Sequence, residues 1–460
     1  MVANRGPVTY DRENGERIER RGGGGLANAL SGLAAHHDVT WIASAMSDED
    51  RVVALDNSIG GLHLIAHDPA AYDGYYNVVA NPTLWFLQHY MWGLSSAPDV
   101  DPALEAAWND GYVVVNEAFA EATIAELERE PAAAVFFHDY HLYLAPRLVR
   151  QRLPNALTSH FIHIPWPQPD YWTVLPERLR REIHEGLLAN DVVGFHTHRW
   201  GRNFLHACEE LLGAAVDYDE STVIYAGRRT LVTCHPISIE PSELDRLHDD
   251  PAVLERERLL VEERPELLVL RVDRADPSKN IVRGFRAFKL MLARHPELRG
   301  RVRMLALLAP SRQDVPEYVD YLDAVRREAE GDDAIDLRVG DDFARSVAAY
   351  KQYDVLLVNA VFDGLNLVSK EAPLVNGRDG VLVLSENAGA HEELGEWALS
   401  VNPFDIVGQA QALYAALTMP ADERRRRIEA IRAQVREHDL EAWIRAQLED
   451  LDRVGVASSG

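Results

Sequence analysis

Short apolar runs alternate with longer amphipathic ones along most of this chain, and no other feature limits its fold so tightly. Residues 39–43, 132–137, 158–163, 191–195 and 231–234 read as buried strands, with helices at 145–152, 175–188 and 199–212 between them. The pattern resumes with strands at 267–272, 303–308, 354–359 and 380–384. Helices at 281–294, 315–328, 343–352, 367–376 and 406–417 accompany them. Such alternation makes parallel sheets covered by helices on both faces. A length of 460 residues exceeds what one core accommodates, and the proline- and charge-rich stretch 236–264 interrupts the rhythm. The expected architecture is therefore α/β, with two doubly wound parallel-sheet domains facing a cleft. We place the first at 1–240 and the second at 241–435. The charged, helical end of the chain (422–453) is too long for a mere cap, and we expect 436–460 to return to the first domain.

Composition narrows the function classes. A net charge of −26 argues against a nucleic-acid partner, since phosphate backbones are bound by positive surfaces. It does not exclude a small anion held by a local arginine cluster. Two cysteines, Cys208 and Cys234, are too few for a disulfide framework or a zinc site. With no apolar stretch of the ~18 residues a bilayer span needs, and no apolar leader in the first 21 residues, the expected location is the cytoplasm, away from membranes. Eighteen histidines are scattered without HExxH or another zinc spacing, so no metal site is expected.

Open parallel sheets bind ligands beyond the carboxyl ends of their strands, and here those ends are unusually polar. His138-Asp139-Tyr140-His141-Leu142 follows one strand, and a proline-rich corner, Pro165-Trp166-Pro167-Gln168-Pro169, stiffens the exit of another just after His163. In the second half, Asp273, Arg274, Asp276 and Lys279 follow one strand, Ser311, Arg312 and Asp314 a second, and Asp363-Gly364-Leu365-Asn366 a third. Arg274 and Lys279 read either as a solvated loop or as two cations for a diphosphate, aided by a helix N-terminus at Asn280. The Asp363 group reads either as a turn with an N-cap or as a grip on sugar hydroxyls. Glu371, two helical turns on, has solvation as its plain reading. Gly22–Gly25 reads as a linker or as a phosphate cradle before a helix. The aromatic stretch from Tyr75 and Tyr76 through Trp85 to Trp92 reads first as core packing.

Taken together these clusters resemble the trehalose-6-phosphate synthase family. The matching residues are Val2-Ala3-Asn4-Arg5-Gly6-Pro7, Gly24-Gly25-Leu26, Tyr76-Asn77 with Trp85, His138–Leu142 and His163-Ile164-Pro165-Trp166-Pro167. They continue through Arg274 and Lys279, Ala309-Pro310-Ser311-Arg312, Asp363 to Glu371, and Val401-Asn402-Pro403-Phe404-Asp405. The resemblance implies two Rossmann-like domains in the GT-B arrangement and metal-independent, retaining transfer of glucose. The implied donor is GDP- or UDP-glucose, the acceptor glucose 6-phosphate, and no cofactor is needed. Self-association into a homo-oligomer is left open. By the same resemblance Arg5, Tyr76 and Arg312 bind the acceptor phosphate, with Trp85 lining that pocket. Asp139 contacts acceptor hydroxyls and His163 lies beside the donor sugar. Arg274 and Lys279 hold the donor diphosphate, Gly24 and Gly25 close over it, Asp363 and the amides of Gly364, Leu365, Asn366 and Leu367 hold the donor glucose, and Glu371 the ribose.

Two departures stand out. The chain starts almost at Asn4-Arg5, so the apolar strand that precedes this motif in the family is nearly missing. Phe362 stands where the family often has arginine. The stretch 371–376 is closer to an actinobacterial branch, which contains GDP-glucose-using synthases and a pseudo-glycosyltransferase coupling a GDP-activated cyclitol to an aminocyclitol phosphate. That enzyme, and a non-catalytic regulatory homologue, are the alternatives; Lys370 and the Ser311-Arg312 motif favour the synthase.

Overall fold

All four residues of Val135–His138 are buried, as a strand covered on both faces requires. They lie inside the first of two units into which the chain divides: Met1–His235 with Trp443–Gly460, and Pro236–Ala442. The computed structural model describes residues 1–13, 15–21, 39–56 and 59–458; Gly24 and Gly25 lie outside them. The unit boundaries fall at 235/236 and 442/443, where the sequence reading places them at 240/241 and 435/436.

In the first unit β1 (Val8–Glu13) and β2 (Glu16–Arg21) pair as an antiparallel ribbon. β3 (Trp41–Ser44) and β4 (Leu62–Ile65) pair in parallel. A six-stranded sheet follows, made of β5 (Val135–His138), β6 (Thr158–Phe161), β7 (Val192–Phe195), β8 (Ala215–Asp217), β9 (Thr222–Tyr225) and β10 (Arg228–Cys234). Its order is β5-β6-β7-β10-β9-β8, with β9 antiparallel to both of its neighbours, β10 and β8. Residues 1–4 occupy the place of the strand expected before the Asn4-Arg5 motif. Val2 bridges in parallel to both Ile42 and Phe137, and its amide donates to Phe136 O at 2.8 Å while its carbonyl accepts from His138 N at 2.9 Å. Four residues, Met1 to Asn4, thus fill the gap between β3 and β5 and deliver Arg5 to the carboxyl end of the sheet.

The second unit is wound as a full dinucleotide-type sheet. β11 (Leu267–Arg274), β12 (Val302–Ala309), β13 (Ile335–Val339), β14 (Val355–Val358), β15 (Val381–Ser385) and β16 (Leu399–Val401) are parallel in the order β13-β12-β11-β14-β15-β16. Chain order reverses between β11 and β14, and the carboxyl ends there form the crevice where such sheets take ligands. Helices Ile281–Arg294 and Ile406–Leu417 close one face through Phe285, Phe288, Met291 and Leu413, all buried against Val269, Val355 and Val383. Each such side chain contributes roughly 1.5–3 kcal/mol on burial.

Several local outcomes differ from the pattern reading, each for a physical reason. Two of the three prolines of 236–264 open rather than break structure: Pro241 and Pro251 start the helices Pro241–Leu247 and Pro251–Glu263. The terminal helical stretch is two helices, Ala421–Glu437 and Leu440–Ser458, broken where the Asp439 carboxylate accepts from Ala442 N. The aromatic stretch runs as a π-helix, Gly74–Trp85, beside a second one at Ala107–Val113. A Cβ on Gly111 would stand 2.7 Å from Tyr75 N, so the two wide helices touch backbone to backbone. Among the described residues no helix is long and apolar enough to cross a membrane.

Candidate active site

In the first unit the candidate residues gather at the carboxyl ends of Met1–Asn4, β5 and β6. Asn4 is buried and its Oδ1 accepts from Ser44 Oγ (3.0 Å), Tyr72 OH (3.2 Å) and Tyr75 OH (3.2 Å). That hub ties Tyr72, from the short helix Pro69–Asp73, and Tyr75, from the π-helix that follows it, to Asn4. Exposed Arg5, the next residue, donates from Nη2 to Tyr76 OH at 3.2 Å. Two residues 71 apart in sequence, both expected at the acceptor phosphate, are therefore in contact. Tyr76 in turn stacks on Tyr72 and His141. Trp85 is 2% exposed, with its ring stacked on His89 at 4.0 Å, so it serves the packing of the segment.

Asp139 and His163 also meet. The Asp139 carboxylate accepts from His163 N at 3.2 Å, and its carbonyl faces His160 Nε2 at 2.9 Å. Its backbone, φ 69° and ψ 176°, lies where glycine is normally found. Holding a carboxylate there costs of order 1–3 kcal/mol, which the surrounding hydrogen bonds must offset. His163 Nε2 lies 3.1 Å from His138 Nδ1. Burial, then the neighbouring His196, His138 and His160, push its pKa well below the ordinary histidine value. It is a neutral imidazole at pH 7, fit to exchange hydrogen bonds with a sugar but not to carry charge. The expected stiff corner is real: Trp166 is fully buried against Trp172, and its carbonyl accepts from Asn203 Nδ2 at 2.7 Å. Sequence reasoning missed the last support. Trp443, from helix Leu440–Ser458, packs edge-on against Phe161 at 5.1 Å and lies 6.2 Å from the His163 ring.

In the second unit the candidates line the crevice between β11 and β14. Arg274 Nη2 lies 2.8 Å from Asp276 Oδ2 at the end of β11. Lys279 Nζ is ion-paired with Asp363 Oδ2 at 2.5 Å, each side chain 14% exposed. The cation expected at the diphosphate and the carboxylate expected at the donor sugar, 84 residues apart, thus neutralise each other. Asp363 also accepts from Asn366 Nδ2 at 3.2 Å. Asn280, φ 58°, starts helix Ile281–Arg294 and ties it to the crevice by donating to Asn359 O and Pro403 O. The loop carrying Gly364, Leu365 and Leu367 is pinned from a direction the sequence reading missed. Gly389 donates from its amide to Asp363 O, and a Cβ there would lie 1.9 Å from Gly364 O. Asn366, φ 102°, then caps the next helix by accepting from Ser369 N. Lys370, fully buried, pairs with Glu393 at 2.7 Å and donates to Ile237 O at 3.0 Å. Arg312, φ 42°, donates to Tyr318 OH at 2.5 Å and lies over that ring at 4.9 Å. Among the described residues no group of three His, Cys, Asp or Glu side chains could hold a metal ion.

Glu371 behaves unlike a solvated helical glutamate. Burial raises its pKa to about 7, and the hydrogen bond from Tyr350 OH at 3.2 Å offsets only part of that. A carboxyl whose folded pKa lies above its unfolded value contributes stability that is full below about 4.5 and is lost as pH rises through about 7. Glu371→Gln should therefore match the wild type in stability near pH 4.5 and exceed it at pH 8 by up to about 3 kcal/mol. Denaturant midpoints at the two pH values test this, and equal gains at both would disprove the ionisation argument.

A profile of glycosyltransferase family 20 matches residues 1–453. The chain is 35% identical to a validamine 7-phosphate valienyltransferase of Streptomyces hygroscopicus subsp. jinggangensis, over 98% of this chain and 93% of that one. It is 34% identical to a trehalose-6-phosphate synthase of Mycolicibacterium smegmatis, over 99% and 92%. A solved UDP-forming α,α-trehalose-phosphate synthase of Burkholderia xenovorans, in complex with glucose-6-phosphate, is similar with TM-score 0.83 and 26% identity, covering 98% of this chain and 99% of that one.

Proposed function

The chain belongs to glycosyltransferase family 20, and from that premise we propose that it makes trehalose 6-phosphate. In this reading it moves glucose from GDP- or UDP-glucose to glucose 6-phosphate, with retention and without a metal ion. The observation that carries the reading is the Lys279–Asp363 pair beside Arg274 at the switch point of the second sheet. An incoming diphosphate offers Lys279 a second anion, and a sugar offers Asp363 hydroxyl donors in its place. The pair then opens onto the two halves of one substrate, and Glu371 accepts from the ribose. In the first unit Arg5 and Tyr76 supply donors suited to an acceptor phosphate, and Asp139 accepts from an acceptor hydroxyl. The glucose-6-phosphate complex of the Burkholderia relative supports that acceptor.

Chemically, the acceptor oxygen bonds to the anomeric carbon as the bond from that carbon to the diphosphate oxygen breaks. The acceptor's proton passes to that leaving oxygen on the same face. The chain supplies orientation and charge stabilisation rather than a nucleophile. Because two side-chain cations serve the diphosphate, activity should survive removal of divalent ions by a chelator. Complete loss, restored by magnesium, would show that the charge stabiliser is a metal. A cytoplasmic setting accords with Cys208 and Cys234, which form no disulfide.

One finding favours a second reading. The valienyltransferase relative matches over the same length and at the same level of identity as the synthases, so a cyclitol donor with an aminocyclitol phosphate acceptor is the rival. The regulatory homologue has no such support, since Arg274 and Lys279, the two cations this reading needs, are both present. A matrix of GDP- and UDP-linked glucose and cyclitol donors against glucose 6-phosphate and an aminocyclitol phosphate decides between the readings, with product mass and anomeric configuration as readout. Trehalose 6-phosphate is the expected product; an amine-linked product alone would overturn the proposal.

A further inference from the structure

We infer that Asp276 is a positioning residue shared by two phosphate sites, its one carboxylate holding both Arg274 and Arg312 in place. Asp276 is fully buried just past β11, and Arg274 Nη2 and Arg312 Nη1 approach the same oxygen, Oδ2, at 2.8 and 3.7 Å. The two arginines come from the ends of neighbouring strands, β11 and β12. The Asp276 backbone is fixed too: its amide donates to Arg274 O at 2.7 Å, and its carbonyl accepts from Lys279 N at 3.0 Å.

A carboxylate removed from water must be paired or it is expelled or protonated. Here burial pushes the Asp276 carboxyl up, but Arg274, Arg312, Ser311 and Lys279 together bring it below its ordinary value, so it stays charged. The arrangement also solves a problem for the arginines. Two guanidinium groups aimed at neighbouring phosphates repel each other while the site is empty. One anion between them removes that repulsion and fixes both before substrate arrives, which is what preorganised stabilisation requires. Arg312 is held a second time by Tyr318, whose hydroxyl accepts from it and whose ring it lies over, so its guanidinium has little freedom. Arg274, with its side chain 49% exposed, depends more heavily on Asp276.

The inference rests on the reading of Arg274 as a donor-diphosphate residue and Arg312 as an acceptor-phosphate residue, and the test keeps the two apart. Full-length Asp276→Asn, Arg274→Ala and Arg312→Ala are compared with the two double variants that combine Asp276→Asn with each arginine change. The readouts are UDP and GDP affinity by calorimetry and KM for glucose 6-phosphate. Asp276→Asn should weaken the nucleoside diphosphate and raise the acceptor KM, each about tenfold, the scale of one charge-assisted contact. In the Arg274→Ala background it should leave nucleotide affinity alone and still raise the acceptor KM; in the Arg312→Ala background the pattern reverses. Equal factors in every background would mean that Asp276 acts through general stability, and the inference fails. Two unaffected substrates would also overturn it. If instead Arg274→Ala spares nucleotide affinity or Arg312→Ala spares the acceptor KM, the substrate reading fails on its own, whatever Asp276 does. Should Asp276→Asn not fold, Asp276→Glu keeps the charge but displaces it, and the same crossed pattern is expected at smaller size.

Discussion

Lys279→Ala turns over its substrates more slowly by on the order of a hundredfold or more, the scale for losing a preorganised charge stabiliser, and Arg274→Ala does the same. A hundredfold is about 2.7 kcal/mol of transition-state stabilisation. That is reasonable where negative charge builds on a leaving diphosphate inside a crevice whose cations are already in place. The two variants differ in what else they disturb. Lys279 neutralises Asp363, and both side chains are mostly buried, so its loss also costs stability, on the order of 1–3 kcal/mol. Turnover must therefore be expressed per folded molecule, with thermal unfolding measured alongside. Near-normal turnover in either variant would remove the diphosphate assignment.

Arg312→Ala should separate acceptors rather than slow everything. A charge-assisted contact to phosphate is worth roughly 1.5–3 kcal/mol, and free glucose never makes it. Transfer to glucose 6-phosphate should fall by about 10- to 150-fold while transfer to glucose, already poor, barely changes. Donor affinity without acceptor should change little, because the 2.8 Å contact between Arg274 and Asp276 does not involve Arg312. The comparison is made at saturating donor with both acceptors. A common loss factor for the two sugars would make Arg312 a structural or donor residue. Activity confined to an aminocyclitol phosphate would move the chain to the rival reading.

Much of this site was legible because strand ends announce themselves. Apolar runs stop at charged clusters, and the rule that parallel sheets bind ligands there picked out Asp139, His163, Arg274, Lys279, Arg312 and Asp363 before any contact was known. What the pattern could not supply is partnership. That Lys279 faces Asp363, or Arg5 faces Tyr76, depends on strand order, which periodicity does not reveal. Backbone conformation was equally silent: nothing in the letters around Asp139 or Arg312 announces a positive φ, since glycine is the residue that usually marks one. β13 escaped because Asp336 and Arg338 alternate with its apolar residues and pair with each other, which suits a strand at the sheet edge. The π-helices escaped because aromatic density reads as core at any helical pitch. The pairing of Met1–Asn4 escaped because its hydrogen bonds go to Ile42, Ser44, Phe136 and His138, partners that periodicity does not reveal.

The return of the C-terminal helix also sets the order in which this molecule is completed during synthesis. Trp443 rests on Phe161 and near His163, Leu451 joins Phe136 and Val192 in one apolar cluster, and Asp450 lies 2.6 Å from His235. These residues leave the ribosome after residues 236–442, so residues 1–235 emerge without part of their own core. The second unit, residues 236–442, must be translated before that core can close. At about 5–20 residues per second, this is a wait of roughly 10–40 s. Chains truncated after residue 442 should accordingly show a protease-sensitive first unit beside a resistant second one. Residues 1–235 are made before the second unit and completed after it, and throughout that interval the unit that carries Asp139 and His163 exposes apolar surface of the kind that promotes aggregation.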